Sequence, residues 1–134
     1  MPRPASATAS ADYGLKITSP TPGALVAGHV EVSGVFSLEP VAESLFLINA
    51  SVDGPQYWPC VGRPIEVTSS RKTWRGSTYV NGDTRVILAT IGPSARALFE
   101  YYERVGEPSG WLPITRLTPD VIEHDQIVVR FRSS

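Results

Sequence analysis

The sequence predicts a mainly β protein, a β-sandwich of about seven to nine strands with one short helix before the last strand. Three observations predict this fold class. Residues from Val26 to Phe36 alternate between apolar and other residues, which is the period of a half-buried strand. Further short runs of β-branched and aromatic residues are separated by turn residues. The segment from Ala95 to Val105 instead has apolar residues at helical spacing.

Length and composition indicate a single domain. A chain of 134 residues can bury about two thirds of its unfolded surface, which is enough for one core. Residues 1–12 are small and polar, so we expect a disordered N-terminal arm there and one domain over residues 13–134.

Charge and hydropathy bear on partners and location. The formal net charge of −1 gives no electrostatic reason to expect nucleic acid. No apolar run suits membrane insertion or a secretory signal. We therefore expect a cytoplasmic protein, with delivery to the cell surface as part of an assembly left open.

Two prolines separate the first two predicted strands. Leu15 and Ile17 are expected to face inward on the first strand. Pro20 and Pro22 then break it, because proline lacks an N–H donor, and the chain shifts toward the other sheet. Alternate residues form the inner face of the following strand: Val30, Val32 and Phe36.

The middle of the chain carries a series of short strands. The apolar run Leu45–Ala50 is typical of a central strand covered on both faces. Other strands are predicted at 56–61, 65–68, 73–80 and 85–91, and Ile127, Val129 and Phe131 mark the last one. Asn81-Gly82-Asp83 separates two of these strands. A direct hairpin is the simplest interpretation of that turn, and a corner that crosses between sheets is the alternative.

The helix has one apolar face, made by residues at positions i, i+3, i+4 and i+7: Ala95, Leu98, Phe99, Tyr102 and Val105. Pro93 or Ser94 is expected to begin the helix and Gly106 to end it. A helix this short is marginal alone, so its apolar face must pack on its own domain, the simpler expectation, or on a partner. Glu107–Pro119 follows as a loop.

The core is expected to be one buried cluster contributed by most of the strands. Its predicted members are Val30, Val32, Leu45, Leu47, Trp74, Val86, Leu88, Val129 and Phe131.

Few residues suggest chemistry. The only cysteine, Cys60, has no adjacent base and is interpreted as a packed thiol. Neither histidine lies in a metal-binding spacing, and Glu123-His124-Asp125 is interpreted as a surface turn. Four aspartates lie in or beside turns, where calcium binding is possible but turn formation is the simpler role: Asp53, Asp83, Asp120 and Asp125. We predict no catalytic residue, no metal site and no cofactor, and therefore a protein that is not an enzyme.

Two segments resemble a known family. The pattern Ser-Pro-x-Pro-Gly-x-x-Val-x-Gly-x-Val-x-Val-x-Gly, from Ser19 to Gly34, resembles the opening of bacterial immunoglobulin-like domains. The segment Thr73–Val80 is similar to their tryptophan-bearing strand. The resemblance implies an immunoglobulin-like or fibronectin-III-like sandwich, and such families are mostly non-enzymatic spacers, adhesive modules or accessory domains.

Aromatic side chains are the candidate binding residues. Trp111 is flanked by Ser109-Gly110 and Pro113 and is the best candidate for an exposed ring. Tyr57 and Trp58 are adjacent on a strand, so one of them points outward unless another element covers it. The helix adds Tyr101 and Arg104 to the predicted site.

These residues predict a non-enzymatic protein–protein interaction module or structural module, whose partner docks on the helix and the Trp111 loop. The partner is another protein or a second copy of the chain. The alternative is a carbohydrate-binding sandwich in which exposed aromatic rings stack on sugars.

Overall fold

The computed structural model describes residues 13–132; the predicted N-terminal arm, residues 1–12, lies outside the described residues. In this range the chain forms two sheets and one α-helix that precedes the last strand, which confirms the mainly β prediction. The strands are β1 (Lys16–Ser19), β2 (Leu25–Val26), β3 (Gly28–Val35), β4 (Leu45–Ala50), β5 (Tyr57–Pro59), β6 (Glu66–Thr68), β7 (Thr73–Val80), β8 (Thr84–Ile91) and β9 (Val121–Phe131). The helix α1 spans Pro93–Ser109, and a 3-10 turn spans Ala42–Ser44.

The four-stranded sheet has the order β1-β3-β7-β6, and the five-stranded sheet has the order β2-β9-β8-β4-β5. The expected shift between sheets at Pro20 and Pro22 is confirmed for the two-residue strand β2, whereas β3, the second predicted strand, returns to the same sheet as β1. Before these prolines, β1 pairs with β3 in the smaller sheet, and after them β2 pairs in parallel with β9 in the larger one. The chain therefore contributes its first two strands to opposite layers.

The hairpin interpretation of Asn81-Gly82-Asp83 is wrong, and the alternative, a corner between sheets, is what forms. Strand β7 pairs with β3 along its full length and with β6 only over Thr73–Arg75, and it forms no ladder with β8. Strand β8 instead lies between β4 and β9, where Val86, Ile87, Leu88 and Ala89 are all buried. Burial on both faces outweighs the local preference of Asn-Gly for a tight turn.

The predicted core cluster lies between the two sheets and is confirmed. Eight of its nine predicted members are buried together, and Phe131 packs against them while partly exposed. The remaining buried members of this sheet–sheet core are Leu15, Phe36, Ile65, Val80 and Ile127. Trp74 anchors the core, and its indole N–H donates a hydrogen bond to the Lys16 carbonyl at 3.1 Å.

The other face of the five-stranded sheet carries α1. Ala95 and Phe99 of the helix pack against Ile48, Ile87 and Ala89 of the sheet. The helix therefore packs on its own domain. Strand β4 is covered on both faces, as expected for its continuous apolar sequence, since its residues contribute to this helix–sheet core and to the sheet–sheet core.

Both ends of α1 are set by polar and glycine contacts. At the beginning, the Asp120 carboxylate accepts hydrogen bonds from the backbone N–H groups of Ser94 and Ala95. The Thr118 hydroxyl, together with these N–H groups, lowers the pKa of Asp120. The prediction that Gly106 ends the helix is wrong. The helix continues to Ser109, and Gly110 ends it in the left-handed conformation at φ 80°.

Strand β9 contains a bulge at His124, so the interpretation of this segment as a surface turn is wrong. Leu88 pairs with Asp125 and Ala89 with Glu123, which leaves His124 without a partner in the ladder. The His124 Nε2 atom lies 2.8 Å from the Thr90 hydroxyl oxygen. Asp125 accepts the backbone N–H of Ile17 at 2.8 Å and thereby ties β9 to β1.

The partial burial of His124 predicts a pH dependence of folding stability. Burial lowers the pKa of His124, so the unfolded chain binds its proton more readily than the folded one. The contribution of neutral His124 to folding stability is fully present above the pKa of the unfolded chain, about 6.5. It is lost as the pH falls below that value. We expect urea midpoints to decrease from neutral to mildly acidic pH in the parent and to decrease less in His124→Asn. His29→Asn is the control, because His29 is exposed; an unchanged slope in His124→Asn would contradict the prediction.

Candidate functional site

A cleft of about 950 Å³ lies at one end of the two sheets, where β4 and β7 end and β8 begins. Its rim is made by residues 51–53, by the corner at 81–83 and by Gly110-Trp111 at the end of α1. We call it the end cleft. Loops held by a rigid scaffold are common places for binding residues, and here two connections and the helix end meet.

One wall of the end cleft is aromatic. It consists of Trp58 from β5, Tyr102 from α1 and Trp111. The Trp58 indole N–H donates a hydrogen bond to the Trp111 carbonyl at 3.1 Å. The Trp111 and Tyr102 rings lie with their centroids 5.5 Å apart. These contacts join the edge strand β5 to the end of the helix.

The Trp111 ring is seated on Gly106. A Cβ atom at Gly106 would overlap the six-membered part of the indole, so the absence of a side chain is what allows the ring to lie against the helix. The Trp111 backbone N–H donates to the Gly106 carbonyl at 2.7 Å and fixes the loop at the same place. Trp111 nevertheless remains 42% exposed. One part of this ring is thus packed and the other is available to a ligand.

The floor of the cleft is a hydrogen-bonded network that connects the two sheets. The Thr78 hydroxyl of β7 donates to the Asn49 side-chain oxygen of β4 at 2.8 Å. The Asn49 amide nitrogen donates to the Tyr79 carbonyl at 2.9 Å. The Cys60 sulfur lies 3.1 Å from the Thr78 hydroxyl oxygen. Either the thiol or the hydroxyl can be the donor in this contact.

The environment of Cys60 keeps its sulfur protonated. Burial raises the pKa of the Cys60 thiol, and the hydrogen bond with Thr78 and the positive charge of Arg63 offset this only in part. A nucleophilic cysteine needs the opposite shift, which comes from a nearby cation or base. The thiol therefore serves as a packed hydrogen-bonding group in the floor, as the sequence predicts.

Charged side chains lie at two places on the cleft. Asp53 and Asp83 are contributed by the loops at 51–53 and 81–83. Arg63 lies elsewhere on the lining, where one guanidinium nitrogen is 3.2 Å from His29 Nδ1 and 3.4 Å from the Ser77 hydroxyl. The salt bridge found within residues 13–132 joins Arg75 to Glu66. Asp53, Asp83 and Arg63 therefore form no salt bridge in that range.

The structure brings together only some of the predicted site residues. Trp58 and Trp111 line the end cleft and touch through a hydrogen bond. Tyr57 packs against the helix–sheet core, and its backbone exchanges two hydrogen bonds with Ile114, so a loop covers it. Tyr101 and Arg104 lie on the exposed face of α1, with the Arg104 guanidinium 5.7 Å from the Tyr101 ring centre.

Other cleft residues were not foreseen from the sequence. Tyr102 was assigned to the apolar helix face, and it does pack there, but it also lines the cleft. Asn49 and Thr78 are 29 residues apart on strands of different sheets, and no local pattern signals their contact. From the sequence, Asp53 and Asp83 are assigned to turn formation or to calcium binding, and not to the binding site. Their position in the two turns beside the sheet ends is the signal that would have grouped them.

The turn aspartates act on the backbone rather than as a cluster. Asp83, Asp120 and Asp125 each accept a backbone N–H, from Phe131, Ser94 and Ile17 respectively. Over residues 13–132, no group of three or more His, Cys, Asp or Glu side chains is arranged to hold a metal ion. In the same range, no helix has the length and apolar character needed to cross a membrane.

Comparison with known proteins gives no match to a protein-family model and none to a curated protein sequence. The geometry of the end cleft is therefore the basis for a functional assignment. It offers exposed aromatic surface, a floor whose polar atoms bond to one another, and carboxylates on the rim. Such a surface suits recognition of a ligand.

Proposed function

We propose that this chain is a non-catalytic protein-interaction module with an immunoglobulin-like sandwich fold, and that it binds its partner in the end cleft. The observation that carries the proposal is the aromatic wall of Trp58, Tyr102 and Trp111 in an open cleft. Tryptophan and tyrosine are enriched among the few residues that dominate the binding energy of protein interfaces. The sequence pattern of Ser19–Gly34, together with two packed sheets, supports the fold assignment by analogy.

The floor of the cleft favours an apolar protein side chain over a sugar. The Asn49, Thr78 and Cys60 side chains satisfy one another, and the Trp58 N–H is already used by the Trp111 carbonyl. An apolar side chain can cover these groups without leaving any of them unpaired. A sugar would bring several hydroxyls that lose water and find few free partners, at about 1–3 kcal/mol for each buried unpaired group.

Tyr101 and Arg104 are proposed as outer contacts. They lie on the exposed face of α1 and outside the cleft lining. A partner that occupies the cleft would contact them only if it also extends beyond the cleft. Their substitution by Ala is therefore expected to weaken binding less than changes in the aromatic wall.

The second candidate function is carbohydrate binding. It is favoured by the two tryptophan rings that line one cleft, because the face of an indole can stack on a sugar ring. Under this alternative the exposed rim residues Asp53 and Asp83, together with the half-buried Arg63, would supply the hydrogen bonds that the floor does not. Glycan-array binding that is lost in Trp58→Ala would support it.

Replacing Trp111 by Ala is expected to weaken partner binding by about 2 kcal/mol or more, roughly thirtyfold in affinity. The melting temperature should change little, since the ring is 42% exposed. The partner is first identified by affinity capture with mass spectrometry, purified, and then measured by calorimetry. Leu112→Ala is the matched control, because Leu112 is adjacent and exposed but does not line the cleft.

The opposite result would assign Trp111 a structural role. If the Ala variant melts early while its affinity is unchanged, the ring serves mainly to hold the loop on Gly106, and the search for the site moves to Trp58 and Tyr57. Light scattering of the parent protein would show whether the partner is a second copy of the chain.

A further inference from the structure

We propose that the partner inserts into the end cleft an extended segment in which a lysine or arginine stands beside a bulky apolar side chain. This inference rests on the proposed function and specifies the chemistry of its ligand. It depends on how charge and aromatic surface are distributed over the cleft.

Negative charge is concentrated on two of the loops that form the rim. Residues 51–53 contribute Asp53, the corner at 81–83 contributes Asp83, and neither loop contains a cation. One oxygen of Asp83 accepts the Phe131 N–H at 2.8 Å, and the other oxygen has no hydrogen-bond partner among the described residues. A ligand cation at these loops would gain charge-assisted hydrogen bonds, which are about twice as strong as neutral ones.

The cation of the cleft does not cancel these carboxylates. Arg63 is bound to His29 and Ser77 and forms no salt bridge with Asp53 or Asp83 in the described range. The three charges that line the cleft therefore leave it net negative. Arg85 lies beside the 51–53 loop, but its guanidinium is bonded to the Ser51 carbonyl and to Gln126. An acidic ligand would be repelled at the loops, and a neutral one would gain no charge-assisted hydrogen bond there.

The aromatic wall supplies the second half of the specificity. Because the Trp58 N–H is already bonded, Trp58 offers its ring surface rather than a donor. Such rings pack on bulky apolar side chains and also on the methylene stems of lysine and arginine, whose charged ends can then reach outward. A segment with both residue types uses the wall and the acidic loops together.

The test uses a library of random dodecapeptides displayed on phage and selected on the immobilised full chain. The pool is counter-selected on the Trp58→Ala variant, so that only peptides dependent on the aromatic wall are kept. We expect the recovered peptides to be enriched in Lys or Arg next to an aromatic or branched aliphatic residue. One recovered peptide is then synthesised for affinity measurements by fluorescence anisotropy.

The charge contribution is isolated with paired variants. The double variant Asp53→Asn with Asp83→Asn is expected to lower the affinity for the peptide by about tenfold or more and to reduce the salt dependence of binding. Asp53→Asn alone is measured as well, because Asp83 also bonds to the backbone. Glu31→Gln is the matched control, since Glu31 is exposed on β3 and does not line the cleft. Replacing the peptide's cation by glutamine should weaken binding to the parent protein by the same factor. The same replacement should not change the affinity for the double variant, because the carboxylates are already absent there.

The outcomes separate this inference from the proposed function. Wall-dependent peptides without a cation, or equal affinity for the double variant, would overturn the charge preference and leave the protein-binding function standing. Failure to recover any peptide that distinguishes the parent from Trp58→Ala would overturn both.

Discussion

Replacing Val32 by Asp is expected to unfold the domain. Val32 has no exposed surface and lies in the sheet–sheet core, so a carboxylate there would be buried without a partner. We expect a loss of about 4 kcal/mol or more, which is comparable to the whole stability of many small domains. Urea denaturation followed by tryptophan fluorescence measures it, since Trp74 lies in the same core.

The matched control is Val35→Asp on the same strand. Val35 is 41% exposed and points away from the core, so the same chemical change should cost about 1 kcal/mol or less, the range of strand propensity. If Val32→Asp instead proves as stable as the parent, the facing of β3 is reversed, because a shift of one residue inverts every side chain.

Replacing Gly34 by Ala is expected to cost about 3 kcal/mol, at the upper end of what overpacking usually causes. Gly34 lies opposite Ile17 of β1 and Trp74 of β7. An added Cβ would overlap the Lys16 backbone carbonyl, which cannot move without separating β1 from β3, and would also crowd the Trp74 indole nitrogen. The hydrogen bond from Trp74 to Lys16 would be lost with that movement.

Gly82→Ala is the control for Gly34→Ala. A Cβ at Gly82 would meet no atom within 4 Å, so a near-neutral effect is expected. Both variants are compared with the parent by thermal unfolding and by hydrogen exchange of the β1 amides. Equal melting temperatures for Gly34→Ala and Gly82→Ala would show that β1 is not held as closely as described.

The fold was most predictable where local pattern and burial agree. Strand β7 was predicted over 73–80 and forms over the same residues, because apolar and polar residues alternate there and one face is buried. The phase of β3 was predicted correctly for the same reason. Where pattern and burial conflict, prediction failed: Asn81-Gly82 favours a hairpin locally, but β8 is buried on both faces between β4 and β9.

Other features depended on contacts between distant residues. The bulge at His124 changes which side chains share a face of β9, and sequence alternation does not reveal it. Gly106 was interpreted as a helix end, whereas its role is to seat the Trp111 ring. Trp58 and Trp111 were each predicted as candidates, but their meeting depends on how α1 ends and on the pairing of Ile114 with Tyr57.

The pairing of β2 with β9 has a consequence for synthesis on the ribosome. Leu25 pairs with Arg130, so β2 must wait for about a hundred further residues before its partner strand exists. At about 5–20 residues per second, this delay lasts on the order of 5 to 20 seconds. Strand β8 is complete only at Ile91, so over about the last 40 of these residues, roughly 2 to 8 seconds, the edge of β8 that β9 later covers is open to pairing with strands of neighbouring nascent chains. Aggregation during expression should therefore depend on how quickly the final strand emerges, and slower translation of its codons should lower the soluble yield.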